Sequence, residues 1–151
     1  SAKSPRGHGM ASLALLGITI LAGALVAGMD AGLLYNHYPL MGTGLVPVEY
    51  GEAGWLDPFE NPASAQFHHR WIAAVTFGAV VVSAINARRQ GLRLRGNLVL
   101  GAVVVQFILG IVTLLHGVPV ALGGMHQAGA VLLLGCLLAL LHGESHHHQN
   151  I

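Results

Sequence analysis

Two polar stations stand at the start of long apolar stretches of the sequence. One is His68-His69-Arg70, and the other is the pair His126-Gln127. Ionisable side chains inside an apolar segment are costly to bury, and they usually mark a functional site. Imidazole nitrogens are common metal ligands. If the fold brings the two stations together, they could hold a metal-containing group between them.

The elements that must position these stations are those of a membrane protein. Of the 151 residues, 54% are hydrophobic and only 9% are charged, whereas soluble domains are roughly a quarter charged. A helix needs about 20 apolar residues to cross the hydrocarbon core, and helices satisfy their own backbone hydrogen bonds there. Four apolar runs approach that length, over residues 10–29, 67–85, 98–115 and 123–141. We therefore expect an all-α membrane protein, with residues 1–151 forming one four-transmembrane-helix bundle in a lipid bilayer.

The segments between the runs predict an orientation. Residues 86–97 contain four arginines, and short arginine-rich loops stay on the cytoplasmic side. Both termini then lie on the cytoplasmic or matrix side, including the tail with His146–His148, which we expect to be solvated rather than metal-binding. The long loop 34–65, acidic and rich in proline and aromatic residues, would form an outer cap at the membrane interface. With a net charge of +1 and no large basic patch, nucleic acid is not an expected partner.

This orientation places the two stations at matched depth. The second and fourth helices both enter from the outer face, so His69 and His126 each lie roughly one turn below a helix start. A haem iron with two axial imidazoles needs ligands from opposite faces, and the core of a helical bundle can supply them. The spacing therefore predicts a haem between the second and fourth helices.

Neighbouring residues leave alternatives open at this stage. Adjacent residues on a helix point about 100° apart, so only one of His68 and His69 can face the core. Arg70 could extend to the lipid headgroups or pair with a haem propionate. Gln127 is expected to be a hydrogen-bond partner beside His126.

Four blocks of sequence, in the same order, resemble the C-terminal four-helix half of the haem A synthase family, of the mitochondrial and proteobacterial type. They cover almost the whole chain: residues 23–36 with 39–41 (GALVAGMDAGLLYN, PLM), 60–62 with 66–70 (ENP, QFHHR), 109–115 with 118–119 (LGIVTLL, VP), and 126–127 (HQ).

The resemblance implies a fold, a reaction and a set of ligands. Proteins of this family have eight helices in two similar halves, and they oxidise a methyl group of haem O to the formyl group of haem A. Each half carries a His-Arg pair on its second helix and a histidine on its fourth, which implies that His69, rather than His68, pairs with His126. The C-terminal half would bind b-type haem as a cofactor, and the other half would receive haem O as substrate.

One departure concerns catalysis. The family places a catalytic glutamate in the N-terminal half, three residues before the histidine of the His-Arg pair. Gln66 stands at that position here, and an amide cannot act as a base. We therefore expect an electron-transferring cofactor half of a haem A synthase-type oxidoreductase, working with a second four-helix half that is either a separate chain or a second copy. The alternative is a non-catalytic b-type cytochrome or accessory subunit of a respiratory or other membrane complex. Either would lie in the bacterial cytoplasmic membrane or the mitochondrial inner membrane.

Overall fold

The computed structural model describes the backbone of residues 5–149 and the side chains of residues 7–144. This part of the chain is helical, with no strand among the elements assigned to it, so the predicted all-α class is confirmed. There are five α-helices and two short 3₁₀ turns: α1 (Pro5–Gly28), the turns Ala31–Leu33 and Gly54–Leu56, α2 (Asp57–Glu60), α3 (Pro62–Arg89), α4 (Arg93–Leu115) and α5 (Val120–Gln149).

The four long helices are each long and apolar enough to cross a membrane. Their outward faces are also apolar, as contact with lipid tails requires. Leu21, Val105, Val131 and Leu132 are all more than 60% exposed. The predicted four-transmembrane-helix bundle, with a long loop between the first and second long helices, is therefore confirmed.

The helices form a closed ring in which α1 packs against α3 and α5, and α4 packs against the same two helices. Consequently α3 and α5 lie diagonally opposite each other. The main cluster of buried apolar side chains, which includes Val80, Val99 and Leu137, fills the half of the bundle nearest the α3–α4 connection. The two histidine stations lie in the other half and do not belong to this cluster.

Two hydrogen bonds between side-chain hydroxyls, which we call polar rungs, join α1 to α3. Ser12 and Ser83 are hydrogen-bonded through their hydroxyls at 2.8 Å, and Thr19 and Thr76 at 2.6 Å. The rungs are seven residues apart on both helices, which is two turns, so they lie on one face of each helix. Hydrogen bonds of this kind are a main source of helix association in lipid, where burial of apolar surface gives little.

The long helices extend beyond the apolar runs into polar flanks, and this changes the expected depth of the histidines. Helix α3 begins at Pro62, so His69 lies seven residues inside it, roughly 10 Å along the axis. His126 is six residues inside α5, roughly 9 Å. The depth is about two turns rather than the expected one. The polar start of α3 is capped and helical, and α5 begins at Val120, three residues before the expected apolar run. The side chains of His146–His148 lie outside the described residues.

Candidate functional site

His69 lies on the face of α3 that packs against α1. Its ring edge meets the backbone of α1 at Gly23, with Cε1 3.0 Å from the position that a Cβ would take there. The Nδ1 atom is buried and has no hydrogen-bond partner within the described part of the chain. A buried polar atom without a partner is uncommon and calls for an explanation.

His126 has the corresponding position on α5, against α4. Its Cε1 atom lies 2.9 Å from where a Cβ would stand at Gly110. The side chain of Gln106, also on α4, places its Nε2 atom 3.1 Å from Nδ1 of His126 and 2.7 Å from the His126 carbonyl oxygen. Sequence reasoning missed Gln106. The available signal was a lone amide in the middle of an apolar span, which is itself a mark of function.

The imidazoles of His69 and His126 have matching positions in the bundle. They come from the diagonally opposite helices α3 and α5. Each ring rests on a glycine of the helix next to it. The structure thus places two imidazoles at similar depth in the bundle.

Two imidazoles suit a metal-containing group that itself supplies most of the ligands to its metal. Among the described side chains, no group of three or more His, Cys, Asp or Glu lies close enough together to bind a metal ion. A protein zinc site needs three or four such ligands. A porphyrin supplies four nitrogens to its iron, so two axial imidazoles complete the coordination. The orphaned Nδ1 of His69 and the two glycine-backed rings are compatible with such a group.

His68 faces a different part of the molecule from His69. Its Nε2 atom is hydrogen-bonded to the hydroxyl of Tyr50 at 3.0 Å, and its ring makes edge contacts with Tyr50 and Phe67. The ring therefore packs against the loop between α1 and α2. The geometry agrees with the expectation that only one histidine of the pair faces the bundle core.

Arg70 connects α3 to the same loop. Its guanidinium donates to the carbonyl of Tyr35 at 2.9 Å and to Oε1 of Gln66 at 2.7 Å, with longer contacts to the carbonyls of Pro39 and Leu40. Sequence reasoning offered headgroup contact or a propionate partner. The structure adds a third role, in which the guanidinium fork fastens the loop to α3.

Gln66 is buried and is hydrogen-bonded at both ends of its amide. Its Nε2 atom donates to the carbonyl of Ala31 at 2.7 Å, and its Oε1 atom accepts from Arg70. The residue at the position of the family's glutamate therefore joins the start of α3 to the 3₁₀ turn Ala31–Leu33 that follows α1.

Asp57 and Asn61 form the second attachment of the loop. The Asp57 carboxylate accepts hydrogen bonds from the backbone amides of Gly51 and Ala53 and from Nδ2 of Asn61. The Asn61 side chain also caps α3 by accepting from the backbone amides of Ala63 and Ser64. Burial of the carboxylate opposes ionisation, but the side-chain and backbone donors outweigh it and lower the pKa of Asp57 below its ordinary value of 3.8.

Gln127, the expected partner of His126, is exposed on α5. Gln106 occupies that role in the structure instead. Two glycines near His126 differ in their surroundings. Gly124 has open space at its Cβ position, and Gly129 lies against the Gln106 amide.

Comparison with known proteins identifies one group of relatives. A family model described as cytochrome oxidase assembly protein (COX15-CtaA) matches residues 1–138. The chain is 47% identical to a heme A synthase of Rhodospirillum centenum over 143 residues, which are 91% of this chain and 38% of that protein. It is 43% identical to a heme A synthase of Caulobacter sp. strain K31, covering 85% of this chain and 39% of that protein. The chain thus spans less than half the length of these curated relatives. No solved structure matches it.

Proposed function

Because the chain belongs to the COX15-CtaA family of cytochrome oxidase assembly proteins, we propose that it is the haem-binding half of a haem A synthase-type protein. Its relatives are named heme A synthase. The proposed role is therefore in making haem A for terminal oxidases, by oxidation of the haem O methyl group to a formyl group. Since the chain matches less than half of each relative, the complete activity would need a second four-helix half.

The observation that carries the proposal is the pair of imidazoles on diagonal helices. His69 on α3 and His126 on α5 would hold a b-type haem as its two axial ligands, through nitrogens that approach from opposite sides of the bundle. When bound, such a haem supplies a centre that takes up and releases one electron. The neighbouring helices α1 and α4 present glycine backbone to the two rings, so that each ring packs closely against the adjacent helix.

Gln66 supports a cofactor role rather than independent catalysis. A general base must be able to take up a proton, and the Gln66 amide cannot do so at physiological pH. Both ends of this amide are also engaged in hydrogen bonds. The same observation favours the second candidate function, a non-catalytic b-type cytochrome or accessory subunit of a respiratory or other membrane complex.

The chain is an integral membrane protein, given its four spanning helices and its family, and the lipid bilayer is therefore a partner. We further propose that it lies in the bacterial cytoplasmic or mitochondrial inner membrane, with the arginine-rich α3–α4 connection and both termini on the cytoplasmic or matrix side. The proposed protein partner is a second four-helix half, either a separate chain or a second copy, or else a larger respiratory complex.

The test is the reduced-minus-oxidised visible spectrum of the detergent-purified chain, with the extracted haem identified by mass. We expect a low-spin haem b signal that is lost in His69→Ala and in His126→Ala. The matched controls are His68→Ala and His116→Ala, because His68 contacts the loop and His116 is exposed at the end of α4. They should retain the signal. Haem O or haem A in the extract would assign this half to substrate instead, and haem retained in both ligand variants would disprove the ligand assignment.

A further inference from the structure

The connection between α3 and α4 carries a concentration of positive charge. Residues 86–97 contain four arginines, and the sequence has no aspartate or glutamate anywhere from 61 to 143. The arginines are Arg88, Arg89, Arg93 and Arg95. Glu144 on α5 reaches this end of the bundle, but it is buried and lies against α1 at Gly9. One carboxylate can offset one of these charges at most, so the described chain leaves most of the positive charge without a counter-charge.

One of the four arginines is already engaged within the bundle. Arg95 is half-buried, and its guanidinium donates to the carbonyl of Ala139 on α5 at 2.7 Å. The other three are exposed and border the same open depression of the protein surface: Arg88, Arg89 and Arg93. These three guanidinium groups are therefore accessible to a ligand from the membrane surface.

The packing of Arg88 joins the arginines of the two helices. Its aliphatic stem contacts the backbone of α4 at Gly96, in space that a Cβ would fill. Arg93 is the first residue of α4 and lies about one turn from Gly96. The contact thus gathers charges from the end of α3 and the start of α4 on one surface. Like charges repel one another, and an anion bound among them would offset the repulsion.

An apolar stripe on the lipid-facing side of α3 leads to this cluster. Val75, Val82 and Arg89 are seven residues apart in turn, so they follow one face of the helix. Val75 is 57% exposed and Val82 is 47% exposed. Val82 lies roughly 10 Å from Arg89 along the helix axis. A ligand that matches both features has a negatively charged head and an apolar tail.

We propose that Arg88, Arg89 and Arg93 bind the phosphate of an anionic phospholipid, whose acyl chain lies along Val82 and Val75. Guanidinium groups bind phosphate oxygens through paired, charge-assisted hydrogen bonds. Basic surfaces between membrane helices bind anionic lipid heads in the same way. A free phosphate ion would use the same donors but would leave the apolar stripe unused. The site depends on the chain spanning a bilayer and not on haem binding.

The first test is native mass spectrometry of the detergent-solubilised chain with two lipids. Dioleoylphosphatidylglycerol and dioleoylphosphatidylcholine have the same acyl chains and differ in the charge of the headgroup. We expect the chain to retain the anionic lipid in preference. Arg88→Gln, Arg89→Gln and Arg93→Gln should each weaken its retention about 5-fold, and the triple variant on the order of 100-fold. Equal retention of the two lipids, or an unchanged triple variant, would overturn the proposal.

Arg95→Gln is the matched control. It removes one charge from the same connection, but the guanidinium of Arg95 is engaged with α5. This variant should retain phosphatidylglycerol like the unsubstituted chain. A loss as large as those of the other three variants would mean that only the net charge matters, which would also overturn the site. Circular dichroism checks that every variant keeps its helical content.

A second variant distinguishes a bound phosphate from diffuse attraction. The triple substitution Arg88→Lys, Arg89→Lys and Arg93→Lys keeps the charges but loses the planar guanidinium forks. Retention of phosphatidylglycerol should fall about 5-fold, the effect of losing roughly one net hydrogen bond. Retention equal to that of the unsubstituted chain would mean that charge alone attracts the lipid, and it would contradict a built site.

Two competitors identify the source of the anion. Inorganic phosphate in excess, compared with chloride at the same ionic strength, should not displace the bound phosphatidylglycerol, because it has no acyl chain. A poly-glutamate peptide should not displace it either. Displacement by phosphate would assign the arginines to a free anion, and displacement by the peptide would assign them to an acidic protein segment. Either result would overturn the lipid site.

Discussion

His69 and Gly23 are in edge-to-backbone contact, with Cε1 of the imidazole 3.0 Å from the position of a missing Cβ. The same relationship recurs between His126 and Gly110, at 2.9 Å. Real Cβ atoms are almost never found closer than this to a ring atom. The ring of His69 can therefore pack against α1 only because Gly23 has no side chain. In the same way, the ring of His126 can pack against α4 only because Gly110 has none.

The first prediction follows from these two contacts. Gly23→Ala and Gly110→Ala should each displace a histidine ring, lower the haem content and destabilise the chain by about 1–3 kcal/mol, the usual cost of overpacking. Matched controls are Gly17→Ala on α1 and Gly101→Ala on α4, because a Cβ at either position meets nothing within 4 Å. Replacing an unhindered helical glycine by alanine should instead stabilise by about 0.5–1 kcal/mol. Thermal unfolding in detergent measures the stability, and equal behaviour of all four variants would contradict the packing argument.

Much of this fold could be predicted from the sequence because the membrane imposes a local rule. A spanning helix must be apolar over its own length, whatever it packs against. Four such runs were therefore visible without any tertiary information. The histidine stations were visible for the same reason, since polar residues stand out against an apolar background.

The remaining features depend on contacts between distant segments, which composition does not encode. The engagement of Arg70 with the loop carbonyls joins residues about 30 positions apart. The choice of Gln106 over Gln127 depends on how α4 and α5 are rotated against each other. The helix ends also extend past the apolar runs, since polar residues such as those at the start of α3 can be helical when an Asn61 cap is present.

The second prediction concerns the polar rung between Thr19 and Thr76. Replacing both hydroxyls by valine in a double-mutant cycle should give a coupling of about 0.6 kcal/mol, which is typical of hydrogen bonds between membrane helices. Unfolding free energies of the single and double variants provide the measurement. As a control, Thr19→Val can be combined with Thr113→Val. The Thr113 hydroxyl donates to carbonyls of α4 and α5 and not to α1. That pair should be additive within about 0.5 kcal/mol. Additivity of the Thr19–Thr76 pair would show that the rung contributes nothing.

The third prediction separates the loop-fastening role of Arg70 from a propionate-binding role. Arg70→Lys keeps the charge but loses the planar fork, in which one terminal nitrogen reaches Tyr35 and Gln66 and the other reaches the carbonyls of Pro39 and Leu40. Hydrogen exchange of the backbone amides of residues 35–44 should become faster in the haem-free chain. Arg89→Lys serves as the control, because Arg89 is exposed on the last turn of α3. Unchanged exchange together with weaker haem retention would instead assign Arg70 to a propionate.

The fourth prediction is an acid sensitivity that originates at Asp57. Because the folded state lowers the pKa of this carboxyl, its ionised form stabilises the loop, and this contribution is fully present above the ordinary pKa of 3.8. It is lost as the pH falls below 3.8 toward the lower folded value. The thermal midpoint of the unsubstituted chain should therefore exceed that of Asp57→Asn at pH 6, and the difference should shrink at pH values below 4.

Glu52→Gln controls for the loss of a negative charge from the loop, because Glu52 is an exposed carboxylate of the same loop. Its midpoint should follow that of the unsubstituted chain over the whole pH range. A difference between Asp57→Asn and the unsubstituted chain that persists unchanged at low pH would mean that shape, and not ionisation, accounts for the loss.

The fifth prediction tests the orientation that the arginines imply. Short loops rich in arginine remain on the cytoplasmic side, and Arg88, Arg89 and Arg93 lie at the α3–α4 connection. The acidic loop around Asp57 lies at the opposite end of the bundle. In a Cys136→Ala background, Glu52→Cys should react with a membrane-impermeant thiol reagent added to intact cells or to mitochondria stripped of their outer membrane. Leu94→Cys, at a position that is 73% exposed beside the arginines, should react only after the membrane is opened. The reverse pattern would invert the topology and place the histidine pair near the cytoplasmic or matrix face.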